Sequence, residues 1–141
     1  MKEIVVHTDG ASRGNPGAAA IAYVIEGLND SAIEHGQTIG KTTNNQAEYQ
    51  AMLVALEKIQ LELAEPAQVQ CFSDSELMVK QLNGQYRVKD ALLKPHYEKI
   101  LGLVGQLSRR HILVGFTAIR RGDNQRADEL ANIALDGSTV R

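Results

Sequence analysis

Several things are missing from this sequence, and each absence closes off a class of answer. No apolar run approaches membrane-spanning length, and no basic flank with an apolar core marks a signal peptide. A cytosolic (cytoplasmic) protein without membrane association is therefore expected. The one cysteine, Cys71, cannot form an internal disulfide, which agrees with a reducing compartment. It lies in an apolar stretch and reads as core rather than nucleophile. Positive charge is not in excess: 15 Lys and Arg face 17 Asp and Glu, for a net charge of −2. Such a chain does not hold nucleic acid by bulk charge alone. The phosphate-cradling pattern G-x-x-x-x-G-K-[ST] is absent. None of the four histidines has ligand spacing to another.

What remains is 141 residues, 43% hydrophobic, with no internal repeat, low-complexity tract or linker. That is enough for one domain, 1–141, with a real core. Lys2 to Asp9 reads as a strand with two largely apolar faces, so it should be central and covered on both sides. Ala18 to Glu26 and Ser31 to Gly40 read as two more strands, joined by a short link at Gly27 to Asp30. A helix starts near Thr43, Asn44 and Asn45 and runs to about Leu63. Its capping box is either Thr43 with Gln46 or Asn45 with Glu48. Ala67 to Ser73 is the fourth strand. Asp74 and Ser75 open a second helix that ends near Gly84. Pro95 fits the first turn of a third, reaching about Leu107. Ile112 to Ile119 is the fifth strand, and Asn124 to Leu135 a last helix with Gly137 as its stop. The order βββαβααβα implies an α/β fold with a mixed five-stranded sheet and helices on its faces.

Four acids sit where solvated acids would not. Glu48 heads the stripe formed by Met52, Ala55, Leu56 and Ile59, the face that should pack on the sheet. Asp9 and Asp74 each end a short apolar strand and share a strand face with an apolar neighbour, Val5 and Phe72. If those strands are parallel neighbours, their terminal acids meet where ligands gather in open sheets. Asp128 borders the packed side of the last helix with Ala131 and Leu135. Plain structural roles compete: a turn for Asp9, a helix cap for Asp74, an ion pair with Arg126 for Asp128. Converging carboxylates repel unless a cation sits between them. An all-oxygen set favours Mg²⁺ or Mn²⁺ over zinc, and two ions about 4 Å apart suit phosphoryl displacement.

The four segments TDGASRGNPG, TTNNQAEYQA, SDSELMVKQL and DNQRADELA, in this order, resemble type I ribonuclease H along nearly the whole chain. The resemblance implies the ribonuclease H-like fold and hydrolysis of the RNA strand of an RNA–DNA hybrid duplex. Two divalent ions would assist, leaving 5′-phosphate and 3′-hydroxyl ends. It makes Asp9, Glu48, Asp74 and Asp128 the metal-binding acids, with Glu48 also near the ribose 2′-hydroxyl. Ser12, Arg13 and Asn15 would face the minor groove, while Thr43, Asn44 and Asn45 would contact substrate. Gly10, Gly14 and Gly17 would let the backbone approach the sugar–phosphate surface. No obligate protein partner is implied. The alternative is a catalytically inactive nucleic-acid-binding module of the same fold.

The chain also departs from that pattern. Many relatives carry a basic, Trp-rich protrusion where this sequence has GQYRVKDALLKP and no Trp at all. Weaker grip on the hybrid follows, unless Lys80, Arg87, Lys89 or Lys94 substitutes. Many relatives carry a histidine before the last acid, where this loop reads IRRGDNQRAD. Arg121 is the expected stand-in, with Arg120 and Arg126 as rivals. Glu76 stands where relatives often have a neutral residue that contacts substrate.

Overall fold

A computed structural model describes residues 1–140, with side chains as far as residue 137; Arg141 lies outside the described residues. The apolar stretches form five strands: β1 (Lys2–Gly14), β2 (Gly17–Glu26), β3 (Ile33–Thr42), β4 (Ala67–Ser73) and β5 (Ile112–Ala118). Four helices accompany them: α1 (Asn44–Glu62), α2 (Glu76–Leu82), α3 (Lys94–Arg109) and α4 (Gln125–Val140). The sheet order is β3-β2-β1-β4-β5, so β1 is central, as its two apolar faces require. β1 pairs antiparallel with β2 and parallel with β4.

Alternation along the strands divides the core. Ile4 and Val6 of β1, Tyr23 and Ile25 of β2, and Val69 and Cys71 of β4 share one cluster with Met52, Leu56 and Ile59 of α1. Ile100, Leu103 and Leu107 of α3 join it. On the opposite face Ala20 and Ala22 meet Ala131 and Leu135 of α4. Those small residues let α4 lie close, and a Cβ on Gly36 of β3 would come within 2.7 Å of the Leu130 carbonyl oxygen. Cys71 is core, with its thiol pushed up to about 12 by burial.

Three details differ from the sequence reading. First, β1 does not stop at Asp9. It runs on through the glycine-rich stretch to Gly14, pairing Gly10 with Ile21 and Gly14 with Gly17. The partner strand supplies the hydrogen bonds that local propensity does not. Second, Gly137 does not stop α4, which continues to Val140. Gly137 is not among the glycines of positive φ, the conformation that ends helices. Third, Arg121–Asn124 forms a 3₁₀ turn ahead of α4. No helix among the described residues is long and apolar enough to cross a membrane.

Candidate active site

The β1–β4 register sets Thr8 beside Ser73, so Asp9 and Asp74 emerge at the same end of adjacent parallel strands. Glu48 comes from α1. Thr43, not Asn45, caps that helix and completes its capping box with Gln46, leaving Glu48 uninvolved in capping. Met52, Ala55, Leu56 and Ile59 are fully buried beneath it, which turns Glu48 inward at 5% exposure. Its Oε1 accepts from the Gly10 amide at 2.8 Å. Asp74 does not cap α2. Ser75 does, its hydroxyl accepting from the Met78 amide. Asp9, Glu48 and Asp74 each offer a carboxylate oxygen, all within 4.8 Å of one another.

Asp128 completes the group from the opposite layer. Arg126 does not pair with it. Arg126 binds Glu34 with Nε and Nη2, each at 2.8 Å, and also pairs with Glu129. Asp128 instead accepts from the Asn132 side chain and lines a cleft of about 380 Å³. Asp9, Glu48, Asp74, Asn44 and Arg121 line the same cleft.

The electrostatics are those of crowded carboxylates that one arginine only partly offsets. Burial, then the charges of Asp74 and Asp128, push the Asp9 carboxyl up to about 8, against some opposition from Arg121. Burial, with Asp9 and Asp74 beside it, holds Glu48 well above the usual carboxylate range. Only oxygen donors converge, two from buried residues. That donor set fits a hard divalent cation, which would remove the repulsion.

The other expected contacts lie on the end of β1, the β1–β2 turn and the start of α1. The Asn15 side chain accepts from the Asn44 amide at 3.0 Å, joining the β1–β2 turn to the start of α1. Ser12 bonds to the Gly14 carbonyl, and Arg13 pairs with Asp136 at 2.6 Å. Asn45 is exposed. The glycines have internal reasons. A Cβ on Gly10 would lie 2.2 Å from the Ala47 carbonyl carbon, and one on Gly17 would lie 2.3 Å from the Arg13 carbonyl oxygen. Gly14 takes a φ of 114°. What approaches these glycines is the chain itself.

Among the arginines, Arg121 lines the cleft, whereas Arg126 faces β3. Arg110 bonds to the Gln60 and Leu63 carbonyls at the end of α1, a capping role. Lys80 pairs with Glu76 at 2.8 Å and sits 5.0 Å from the centre of the Tyr86 ring. His7 stacks on Phe72. The sequence reading passed over two buried polar residues, Gln81 and Asn124. Gln81 accepts from the Tyr49 hydroxyl at 2.5 Å. A polar residue four positions ahead of Asp128 was the available signal for Asn124.

Known proteins resemble this chain in sequence and fold. The model of the RNase H family matches residues 1–136. Ribonuclease HI of Halobacterium salinarum is 40% identical over 134 residues, which cover 91% of this chain and 62% of that protein. A bifunctional protein of Mycobacterium tuberculosis is 34% identical over 96% of this chain and 36% of its own length. The chain thus spans only part of these relatives. The crystal structure of LC11-RNase H1 in complex with an RNA/DNA hybrid superposes with a TM-score of 0.87 at 40% identity. It covers 96% of this chain and 99% of that one. With the family model spanning nearly all of its residues, the chain belongs to the ribonuclease H family, type I.

Proposed function

We propose that this protein is an endonuclease that hydrolyses the RNA strand of RNA–DNA hybrids, leaving 5′-phosphate and 3′-hydroxyl ends. The observation that carries the reading is the convergence of Asp9, Glu48 and Asp74, with Asp128 facing them across the cleft. A binding module has no need of buried, mutually repelling carboxylates. The four acids would hold two Mg²⁺ ions, with Mn²⁺ as a substitute. Bound there, they would supply charge stabilisation and an activated water for in-line displacement.

The chain's own residues do the rest. The Gly10 amide fixes Glu48 through Oε1, and we assign Glu48 to the ribose side, where the 2′-hydroxyl distinguishes RNA from DNA. Asn44 lies in the cleft. Thr43 and Asn45 flank it and are assigned to substrate contact, while Ser12, Arg13 and Asn15 are assigned to the minor groove of the hybrid; the Asn15–Asn44 bond links the two groups. Arg121 is always charged, so it attracts the scissile phosphate and moves no proton. We place residues 1–141 in one domain and the protein in the cytosol.

Labelled RNA–DNA, RNA–RNA and DNA–DNA duplexes, each incubated with Mg²⁺, Mn²⁺ or chelator, test the proposal. Metal-dependent cutting confined to ribose-containing strands is expected. Robust cutting of all-DNA duplexes, or cutting in chelator, would overturn it.

A further inference from the structure

We infer that Asn124 is a positioning residue for the carboxylate cluster, tying the strand that carries Asp9 to the helix that carries Asp128. The inference rests on reading the cleft as a divalent-metal nuclease site. Asn124 closes the 3₁₀ turn ahead of α4. Its neighbours Arg121, Gly122, Asp123, Gln125 and Arg126 are exposed, whereas Asn124 is 1% exposed. Its Nδ2 donates to the Thr8 carbonyl at 2.8 Å.

Both ends of this bond lie next to the site. Thr8 immediately precedes Asp9, and the pairing of β1 with β4 ends at Thr8 and Ser73. Asn124 lies four residues before Asp128. It sits in the 3₁₀ turn directly ahead of α4, whose first turn carries Asp128. One hydrogen bond therefore sets the height and rotation of the first turn of α4 against the peptide that leads into Asp9.

The cluster needs such a restraint. Asp9 and Asp128 line one cleft, and two carboxylates brought together repel when ionised. Without a restraint, α4 can relieve that repulsion by moving outward. With it, Asp128 stays in reach and an arriving cation meets a preformed set. A second observation separates this role from simple packing. Asn124 Oδ1 is buried and has no hydrogen-bond partner among the described residues. An unpaired buried acceptor is destabilising, and an apolar side chain of similar shape avoids it. What asparagine supplies here is the donor at Nδ2.

Asn124→Leu keeps the number and branching of the side-chain heavy atoms while removing both polar ones, and Asn124→Ala removes everything beyond Cβ. Mg²⁺ binding to the substrate-free protein is measured by calorimetry, and hybrid cleavage is followed as a function of Mg²⁺. Both variants should fold by circular dichroism, and Mg²⁺ affinity should fall about tenfold or more. Turnover should move to higher Mg²⁺ with KM for the hybrid unchanged. A lowered melting temperature with wild-type Mg²⁺ affinity would overturn the inference, leaving Asn124 a merely structural residue. Failure of both variants to fold would overturn it too, assigning the bond to the fold itself. Wild-type protein that bound Mg²⁺ yet cut no hybrid would remove the nuclease reading, and the calorimetric comparison would still decide the role of Asn124.

Discussion

The backbone amide of Gly10 donates to Oε1 of Glu48 at 2.8 Å, where the central strand meets the first turn of α1. The bond joins the residue after Asp9 to the second acid of the cluster. Two carboxylates from different elements are thus held by one backbone contact. The contact requires glycine, because a side chain at position 10 would enter the backbone of Ala47 and Glu48.

Gly10→Ala should therefore damage both fold and site. The added Cβ would lie 2.2 Å from the Ala47 carbonyl carbon and 2.4 Å from the Glu48 nitrogen, neither of which can swing aside. Overpacking of this kind costs about 1–3 kcal/mol or more. Urea denaturation should show that loss, and the folded fraction should cleave poorly. Wild-type stability would show that α1 does not approach this closely.

Without metal, stability should fall as pH rises. The Asp9 carboxyl titrates near 3.8 unfolded and is pushed up to about 8 in the folded protein. Between those values the folded state binds more protons than the unfolded state, so stability declines with pH across that window. Glu48, also raised, adds to the same trend. Thermal melts in chelator from pH 4 to pH 9 should show the decline, and Mg²⁺ should reverse it.

Asp9→Asn should abolish cleavage yet melt higher than wild type in chelator at pH 8. The substitution keeps the shape and removes a charge that burial and two neighbouring acids penalise. Near-normal turnover at saturating Mg²⁺ would remove Asp9 from the metal-binding set.

The three loop arginines should separate in single-turnover experiments. Arg121 lines the cleft, so Arg121→Ala should slow cleavage by about tenfold or more, about 1.4 kcal/mol in the barrier. Metal binding should be spared. Arg126 is engaged by Glu34 and Glu129, and Arg126→Ala should cleave at close to the wild-type rate. Equal, near-wild-type rates for the Arg120, Arg121 and Arg126 variants would leave the position without a functional arginine. No limb of the pH–rate profile should belong to an imidazole.

Affinity for the hybrid should fall with salt, but with a shallow slope. The net charge is −2, Lys80 is paired with Glu76, and Arg13 is paired with Asp136. Few phosphates are then neutralised, and the slope scales with their number. A slope implying about eight or more contacts would reveal an unrecognised basic surface.

Periodicity alone placed much of this site. The stripe of Met52, Ala55, Leu56 and Ile59 turned Glu48 toward the sheet, and the acids that follow the apolar runs of β1 and β4 marked Asp9 and Asp74, where the pairing of those two strands ends. Those are local patterns, and they survive in the fold because burial of apolar side chains dominates its energetics. The element order was legible for the same reason.

Tertiary structure decided what depends on partners distant in sequence. Pairing with Ala18 to Ile21 turned the glycine-rich stretch after Asp9 into strand, against its local propensity. Close packing of α1 on β1, not a ligand, explains Gly10. Cap geometry chose Thr43 over Asn45 and Ser75 over Asp74, leaving two acids for the cleft. Ion pairing drew Arg126 away and left Arg121 facing the cluster. The sequence determined which side chains are present and which way each element turns them. The distances among the four carboxylates, and the raised Asp9 carboxyl that follows, come only from register and helix docking, which no local pattern encodes.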